Sequence, residues 1–452
     1  MLRRIRLIHR LSIQDVFRHG SIILLVSACA SLPVQAQAQE LLSLRDAVSI
    51  ALEKNYGLVA VGLKRNQAEL QNTAGEAGML PAVNVNGVYE KNNLDLQQRL
   101  ADGRVIERDA ASSSFLSGNA TLTWTLFDGM AMFIRKERLA GMEEDARLSQ
   151  RLLMESTISQ LIAAYFSLRT EQDQILALQE LLQVDSVRVS LASMRLESGT
   201  GSKPELLQAT IEQNLHQAQL IARTSARQDQ QENLNILLGR DPSISIVTTD
   251  SIVLREVELD EDSRSRDVGL LLARQQKVTA IQVWKENKAL RYPSLSFQGG
   301  YAFNRTENEA GFLLRNQNTG PGYGLLLSWN LFDGRRTDRM IRKAELDVKL
   351  AETRESEVFN IRKRSEVKAL RLYRDSKATV YLEEATVQMA SENLQIVLER
   401  LRSGLANALE IQEAERLYQD SVTRLSLARY QAKLAETELL RLKGELISDA
   451  GR

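Results

Sequence analysis

Few residues in this chain have the types and spacing that chemistry requires. The clearest are carboxylates. Glu410 and Glu413 stand three apart, which on a helix puts both on one face, where like charges crowd and attract cations. A plainer role competes for one of them. Ser202-Lys203-Pro204-Glu205 and Asn407-Ala408-Leu409-Glu410 both have the form of a helix N-cap with glutamate at the third position, so capping accounts for Glu205 and Glu410 but not for Glu413. His216 is the one histidine after residue 38, and Cys29 is the one cysteine in the chain. A lone histidine in a long helical pattern is expected on the rod surface. The sequence offers no His-based metal cage, no Cys/His nucleophile pair and no Gly-rich phosphate loop. Neither enzyme activity, nor a cofactor, nor a metal is expected.

The bulk properties narrow the class further. Lys+Arg and Asp+Glu both number 58, so net charge points to no nucleic-acid partner. No window of 18 apolar residues follows the leader, so no membrane-spanning helix is expected. Residues 1–38 have the form of an export signal. Arg3, Arg4, Arg6 and Arg10 precede an apolar run, Ile22–Ala30, and Ala36-Gln37-Ala38 offers a cleavage site. A second reading stays open: Val26-Ser27-Ala28-Cys29 resembles a lipoprotein box, which would leave Cys29 as a lipidated terminus.

The elements that position the carboxylates emerge from a duplication. "WTLFDGM" at Trp124–Met130 returns as "WNLFDGR" at Trp329–Arg335. Trp124 and Trp329, Gly199 and Gly404, and Gly239 and Gly444 all stand 205 positions apart. Upstream the offset is 212, pairing Asn55 with Asp267, Pro81 with Pro293 and Tyr89 with Tyr301. The missing seven residues therefore fall between Tyr89 and Trp124, in a segment shortened in the second copy. So long a period marks a twofold duplication and not a solenoid.

Each copy has one order: a helix (Leu58–Met79, Leu270–Arg291), a strand, a polar loop, a second strand, then a long helix and a returning one. The first structural repeat is placed at 39–239, with strands at about 82–90 and 115–127 and a helical hairpin at about 129–239. A linker at 240–265 leads to the second repeat, 266–452, with strands at about 294–303 and 322–332, a hairpin at about 334–444 and a short tail. The loops are expected at Glu90–Ser114 and Asn304–Gly322. No proline falls inside the long helical patterns, 131–195 and 336–400, where one would break the hydrogen-bond ladder. Sixty-five residues at 1.5 Å each make a rod of about 98 Å. Ile158, Leu161, Tyr165, Leu168, Ile175 and Leu182 follow three-four spacing, with Gln172 and Gln179 filling the seam. Ile162 and Phe166 add a second row. The stripe suits either packing on two sides or an ordinary one-faced hairpin.

The strands alternate apolar and polar faces over about ten residues, as membrane β-barrels do. The same pattern suits a sheet packed on the protein's own helices. Four strands cannot close a barrel, and open edges in lipid leave backbone groups unpaired at several kcal/mol each. A membrane sheet therefore needs several chains. Three supply twelve strands, whereas two supply eight and a filled lumen.

With the doubled W-x-L-F-D-G, the doubled R-x-x-x-G turns, the strand–strand–helix–helix order and the opening "LSLRDAVSIALEKN", the chain resembles the TolC-like outer-membrane efflux and secretion channels over essentially all of its length after the leader. The resemblance implies an α+β, mostly α fold: a homotrimer forming a twelve-stranded outer-membrane β-barrel that continues into a periplasmic α-helical barrel. It implies an exit duct of a tripartite efflux pump or type I secretion system, docked to a periplasmic adaptor (membrane fusion) protein and an inner-membrane pump or ABC transporter. In such channels acidic residues just past the second turn glycine close the periplasmic end. The matching positions are Glu410 and Glu413, where the family usually has aspartates, giving six carboxylates around a threefold axis. In the first copy Glu205 matches, while Gln208 replaces the second acid. Ala406 stands where the family often has a basic residue of the closing network. The tip turns Arg195–Ser202 and Arg400–Asn407, with Arg195, Gly199, Arg400 and Gly404, are the expected adaptor contact.

The repeated motif is then the barrel-to-tunnel junction. Trp124 and Trp329 are expected at the membrane interface, with Phe127 and Phe332 near them. Asp128 and Asp333 are expected to cap the long helices, and Gly129 and Gly334 to ease the change of direction. The competing class is a periplasmic coiled-coil scaffold without a pore.

Overall fold

The computed structural model describes residues 40–257 and 263–447, with the side chain of Arg264 excepted. The export signal, Cys29, part of the 240–265 linker and the end of the tail lie outside the described residues.

The chain opens with β1 (Glu40–Leu42), α1 (Leu44–Lys54) and α2 (Tyr56–Gln71). The first hairpin of strands is β2 (Ala82–Arg99) and β3 (Val105–Phe127), followed by α3 (Ala131–Glu197) and α4 (Lys203–Leu237). β4 (Ile246–Thr248) and α5 (Ser263–Arg266) lead to the second copy: α6 (Val268–Ala289), β5 (Ser294–Asn308), β6 (Arg315–Ser328), α7 (Arg336–Arg402) and α8 (Ala408–Lys443). α3 and α7 each run 67 residues, about 100 Å at 1.5 Å per residue. No helix among the described residues is long and apolar enough to cross a membrane.

β2, β3, β5 and β6 form one antiparallel sheet in that order. Its register brings the start of β2, the end of β3, the start of β5 and the end of β6 together: Ala82 pairs with Thr123, Phe127 with Leu295, and Ser294 with Ser328. Both long helices therefore leave from the same end of the sheet. β2 and β6 are its edges. Val83, Val85, Tyr89, Tyr323, Leu325 and Leu327 stand exposed on them.

Several expectations are corrected here. The strands are longer at the far end than the apolar alternation suggests. Most of Glu90–Ser114 and Asn304–Gly322 is strand, leaving turns at 100–104 and 309–314. These segments are mostly polar and carry no sustained apolar alternation, yet cross-strand pairs such as Lys91 with Ser114 continue the ladder. Pro321 lies inside β6 rather than before a strand; an edge strand tolerates the missing N–H. β6 ends at Ser328, where its partner β5 begins, so Trp329–Phe332 lie beyond the sheet. The first helix stops at Gln71 and yields to turns through Met79, with Gly78 in the left-handed region. β1 and β4 pair in parallel, a short ribbon too brief for any pattern to announce.

Around that ribbon sits the largest core. Ile158, Leu161, Tyr165 and Leu168 of α3 pack with Leu42, Val48, Ala51, Leu234 and Ile246, as the upper half of the expected seam requires. Below Leu168 the seam shifts. Its buried members are Gln174, Leu178, Leu181, Asp185, Arg188 and Ala192, still at four-three spacing, while Gln179 is exposed. α8 keeps one heptad row throughout, including Ile411, Ala414, Ser421, Leu425, Ala428, Ala432, Ala435, Leu439 and Leu442. Its small residues let α8 lie close to α3 and α7.

Candidate functional site

The two strand-to-helix junctions share a construction. Asp128 Oδ1 accepts from the Met132 N–H at 3.1 Å. Asp333 accepts from the Arg336 and Thr337 N–H groups, both at 2.9 Å, and from the Thr337 hydroxyl at 2.6 Å. The aspartates do satisfy helix-start donors, from two positions before the formal cap residues, Met130 and Arg335. That offset arises because two successive residues turn left-handed: Gly129 and Met130 at φ 71°, and Gly334 and Arg335 at φ 67° and 62°. The tryptophans hold a further contact. Trp124 Nε1 donates to the Met79 carbonyl at 2.9 Å, and Trp329 Nε1 to the Arg291 carbonyl at 3.1 Å. Each indole ties the exit of a copy's second strand to the entry of its first. Both rings stay substantially exposed, as do Phe127 and Phe332.

At the opposite end of the rods, the tip turns repeat equally closely. The Arg195 carbonyl accepts from the Thr200 and Gly201 N–H groups, and the Arg400 carbonyl from those of Leu405 and Ala406. Gly199 and Gly404 take φ 75° and 74°, which a glycine adopts without strain. Arg195 and Glu205 approach to 3.4 Å, and so do Arg400 and Glu410. Residues singled out for two different roles thus form one ion pair, present once in each copy. Arg195 also donates to the Leu401 carbonyl at 2.7 Å, joining the first turn to the end of α7. The glutamates do not act as capping-box partners. Asn407 Oδ1 caps α8 through the Glu410 N–H at 3.0 Å, whereas the Ser202 side chain makes no cap bond.

Glu413 is placed differently. It is exposed one turn further on and pairs with Arg416 at 2.7 Å; Arg416 in turn reaches Asp420 at 3.0 Å. The Arg416 guanidinium holds the Glu413 carboxyl below the usual carboxylate range. Ala406 is buried with Leu181, Leu394, Val397, Leu401, Ile411 and Ala414, so position 406 faces core and offers no cation.

His216 is not on the rod surface. It is buried, with Nδ1 2.7 Å from Asp185 Oδ2. The shifted α3 seam carries Asp185 and Arg188 inward to meet it. Arg188 Nη1 donates to Glu212 Oε2, and to Glu415 Oε2 at 3.2 Å. Gln208, at the position that lacks the second acid, reaches Glu212 at 3.4 Å. Desolvation pushes the Glu415 carboxyl up to about 7, against the opposing pull of Arg188. The hydrogen bond to Asp185 raises the His216 pKa, burial opposing it. Nothing in the local pattern around His216 reveals this. The available signal was the four-three row of Leu178, Leu181 and Ala192, which carries residues 185 and 188 with it.

A family model described as outer membrane efflux protein matches residues 47–240 and 262–445. No curated protein matches the chain. Among solved structures, the Campylobacter jejuni CmeC outer membrane channel is similar at 14% identity and TM-score 0.77, over 90% of this chain and 89% of that one. The outer membrane protein VceC of Vibrio cholerae is similar at 17% identity and TM-score 0.71, over 89% and 96%. A membrane protein from Pseudomonas aeruginosa reaches TM-score 0.75 at 18% identity, over 89% and 93%. With both copies matched and the doubled strand–strand–helix–helix layout in place, the chain belongs to the outer membrane efflux protein family, whose homotrimeric channels work with periplasmic adaptors and inner-membrane pumps as ducts and not as enzymes.

Proposed function

We propose that the hairpin tips form the periplasmic constriction of this efflux duct and the surface that meets the adaptor. The observation that carries this reading is the tip ion pair, Arg195–Glu205 in one copy and Arg400–Glu410 in the other. Two exposed turns are braced in the same way at the end of each rod, so the chain presents two equivalent tips and a trimer presents six. Glu413 is exposed and Glu410 partly exposed on α8, while Ile411, Ala414 and Glu415 are buried. Three copies then supply six carboxylates around one axis. Arg400 and Arg416 offset part of that charge, so the ring is a moderated cation filter.

The test is conductance in planar bilayers. Glu410→Ala combined with Glu413→Ala should lower the cation-over-anion permeability ratio about fivefold. Arg416→Ala should shift the ratio the other way, because it unmasks Glu413. An unchanged ratio in both variants would remove the ring from the account. For the adaptor contact, Gly404→Trp should abolish adaptor capture by the purified channel while leaving conductance measurable; normal capture would place the contact elsewhere.

A further inference from the structure

The buried charges on α3, α4 and α8 are used by neither the junctions nor the tip pairs. Asp185 and Arg188 belong to α3, Glu212 and His216 to α4, and Glu415 to α8. All five are nine-tenths buried or more. They bridge the first copy's hairpin to the second copy's returning helix. The cluster has no repeat counterpart: the positions 205 residues after Asp185, Arg188, Glu212 and His216 are Ala390, Asn393, Leu417 and Ser421, and Thr210 corresponds to Glu415. It is a device of one interface and not a residue of the duplication.

Its charges do not balance when every acid is ionised. Three carboxylates face one guanidinium and a neutral imidazole, leaving a formal excess of two negative charges out of water. Asp185 Oδ1, Arg188 Nη2 and Glu415 Oε1 are buried without a hydrogen-bond partner. A buried acceptor so left is expensive, and a proton on a neighbouring acid converts an acceptor into a donor. The charges acting on Glu415 are Arg188, Asp185, Glu212 and His216; those acting on His216 are Asp185, Glu415 and Glu212. α7 adds Leu394, Val397 and Leu401 to the apolar cluster alongside. One turn from the cluster, the Tyr418 hydroxyl of α8 donates to Glu180 of α3 at 2.6 Å.

We propose that this cluster is a proton-operated latch: proton uptake holds α8, and with it the second-copy tip, against the α3–α4 hairpin, and proton loss releases it. The latch rests on the reading of that tip as the constriction. The direction follows from linkage. Glu415 and His216 are both shifted upward in the packed state, so packing takes up protons. Their contribution is complete below the ordinary values of 4.5 and 6.5, and for Glu415 is lost as pH rises through about 7.

The experiment is amide hydrogen exchange of α8 residues 411–420 in the full trimer, at about pH 6 and about pH 8, corrected for intrinsic exchange, with bilayer conductance measured in parallel. Wild-type protection should fall about tenfold between the two, as one linked proton permits, while the conducting fraction rises. Glu415→Gln, which fixes the protonated form, should hold protection at pH 8 closer to its acid value than the wild type does, the remaining fall belonging to His216. Equal wild-type protection at both pH values, or a Glu415→Gln profile that follows the wild type, overturns the latch. A pH-dependent release with unchanged conductance would leave the latch standing and remove the constriction reading instead. Should Glu415→Gln not assemble, Asp185→Asn decides: its release midpoint should move to lower pH, and an unmoved midpoint overturns the proposal.

Discussion

Gly129 and Gly334 fill the same place in the two copies but meet different surroundings. A Cβ at residue 129 would stand 2.6 Å from the Ala289 carbonyl oxygen and 2.8 Å from Tyr292 Cβ, whereas one at residue 334 meets nothing within 4 Å. Both glycines are left-handed, where an alanine costs about 1–2 kcal/mol. Gly334→Ala should therefore cost about that much. Gly129→Ala should cost more, above about 3 kcal/mol, because the clash is with α6 backbone. Thermal unfolding of the two variants in detergent checks the order; equal losses would mean that the first junction is softer than its packing indicates. Asp333→Ala forfeits three hydrogen bonds at the start of α7 and should lower the thermal unfolding midpoint. At this scale the sequence was legible where a residue type has one use. Asp-Gly twice, each before a long helix, announced carboxylates serving the helix starts and a change of chain direction, but not that the cap positions themselves are Met130 and Arg335. The tryptophan hydrogen bonds were not legible, since their acceptors are backbone carbonyls 45 and 38 residues away.

Helices were legible because they are long. Both rods end within two residues of the sequence reading, since proline-free apolar periodicity over some 65 positions outweighs local ambiguity. Strands were legible only where one face is apolar; the polar ends of β2 and β3 are held by ladder pairing, which leaves no compositional trace. The seam of α3 was half legible. Above Leu168 the apolar row is continuous, but below it the buried positions include Gln174, Asp185 and Arg188, which no rule of apolar spacing selects. The candidate site shares that limit: tip glycines and acids stand out, whereas a buried charge cluster looks in sequence like a solvated face. The α8 row gives a test of the packing itself. Ala432 is fully buried between neighbouring helices, so Ala432→Leu should overpack the seam and cost about 1–3 kcal/mol. A neutral outcome, read by thermal unfolding, would mean that α8 packs loosely.

A single copy of the chain leaves surfaces that water does not suit. β2 and β6 are open edges, and Leu207, Ile211 and Leu215 form an exposed row at four-residue spacing on α4, with Leu346, Leu350 and Val367 exposed on α7. Edge strands within lipid require partners, and the exposed rows are of the kind that association covers. Ile211→Glu should accordingly weaken trimer assembly without unfolding the hairpin, which is held by the opposite face of α4; a stable mutant trimer would assign that row to another partner. The central claim is that three copies close one barrel and one tunnel through the outer membrane. Native mass spectrometry of the protein extracted from outer-membrane fractions, with conductance of the same sample in planar bilayers, tests it most directly. The account predicts a trimer that forms discrete cation-preferring channels. A soluble monomer or dimer without conductance would contradict it and return the chain to the class of periplasmic scaffolds.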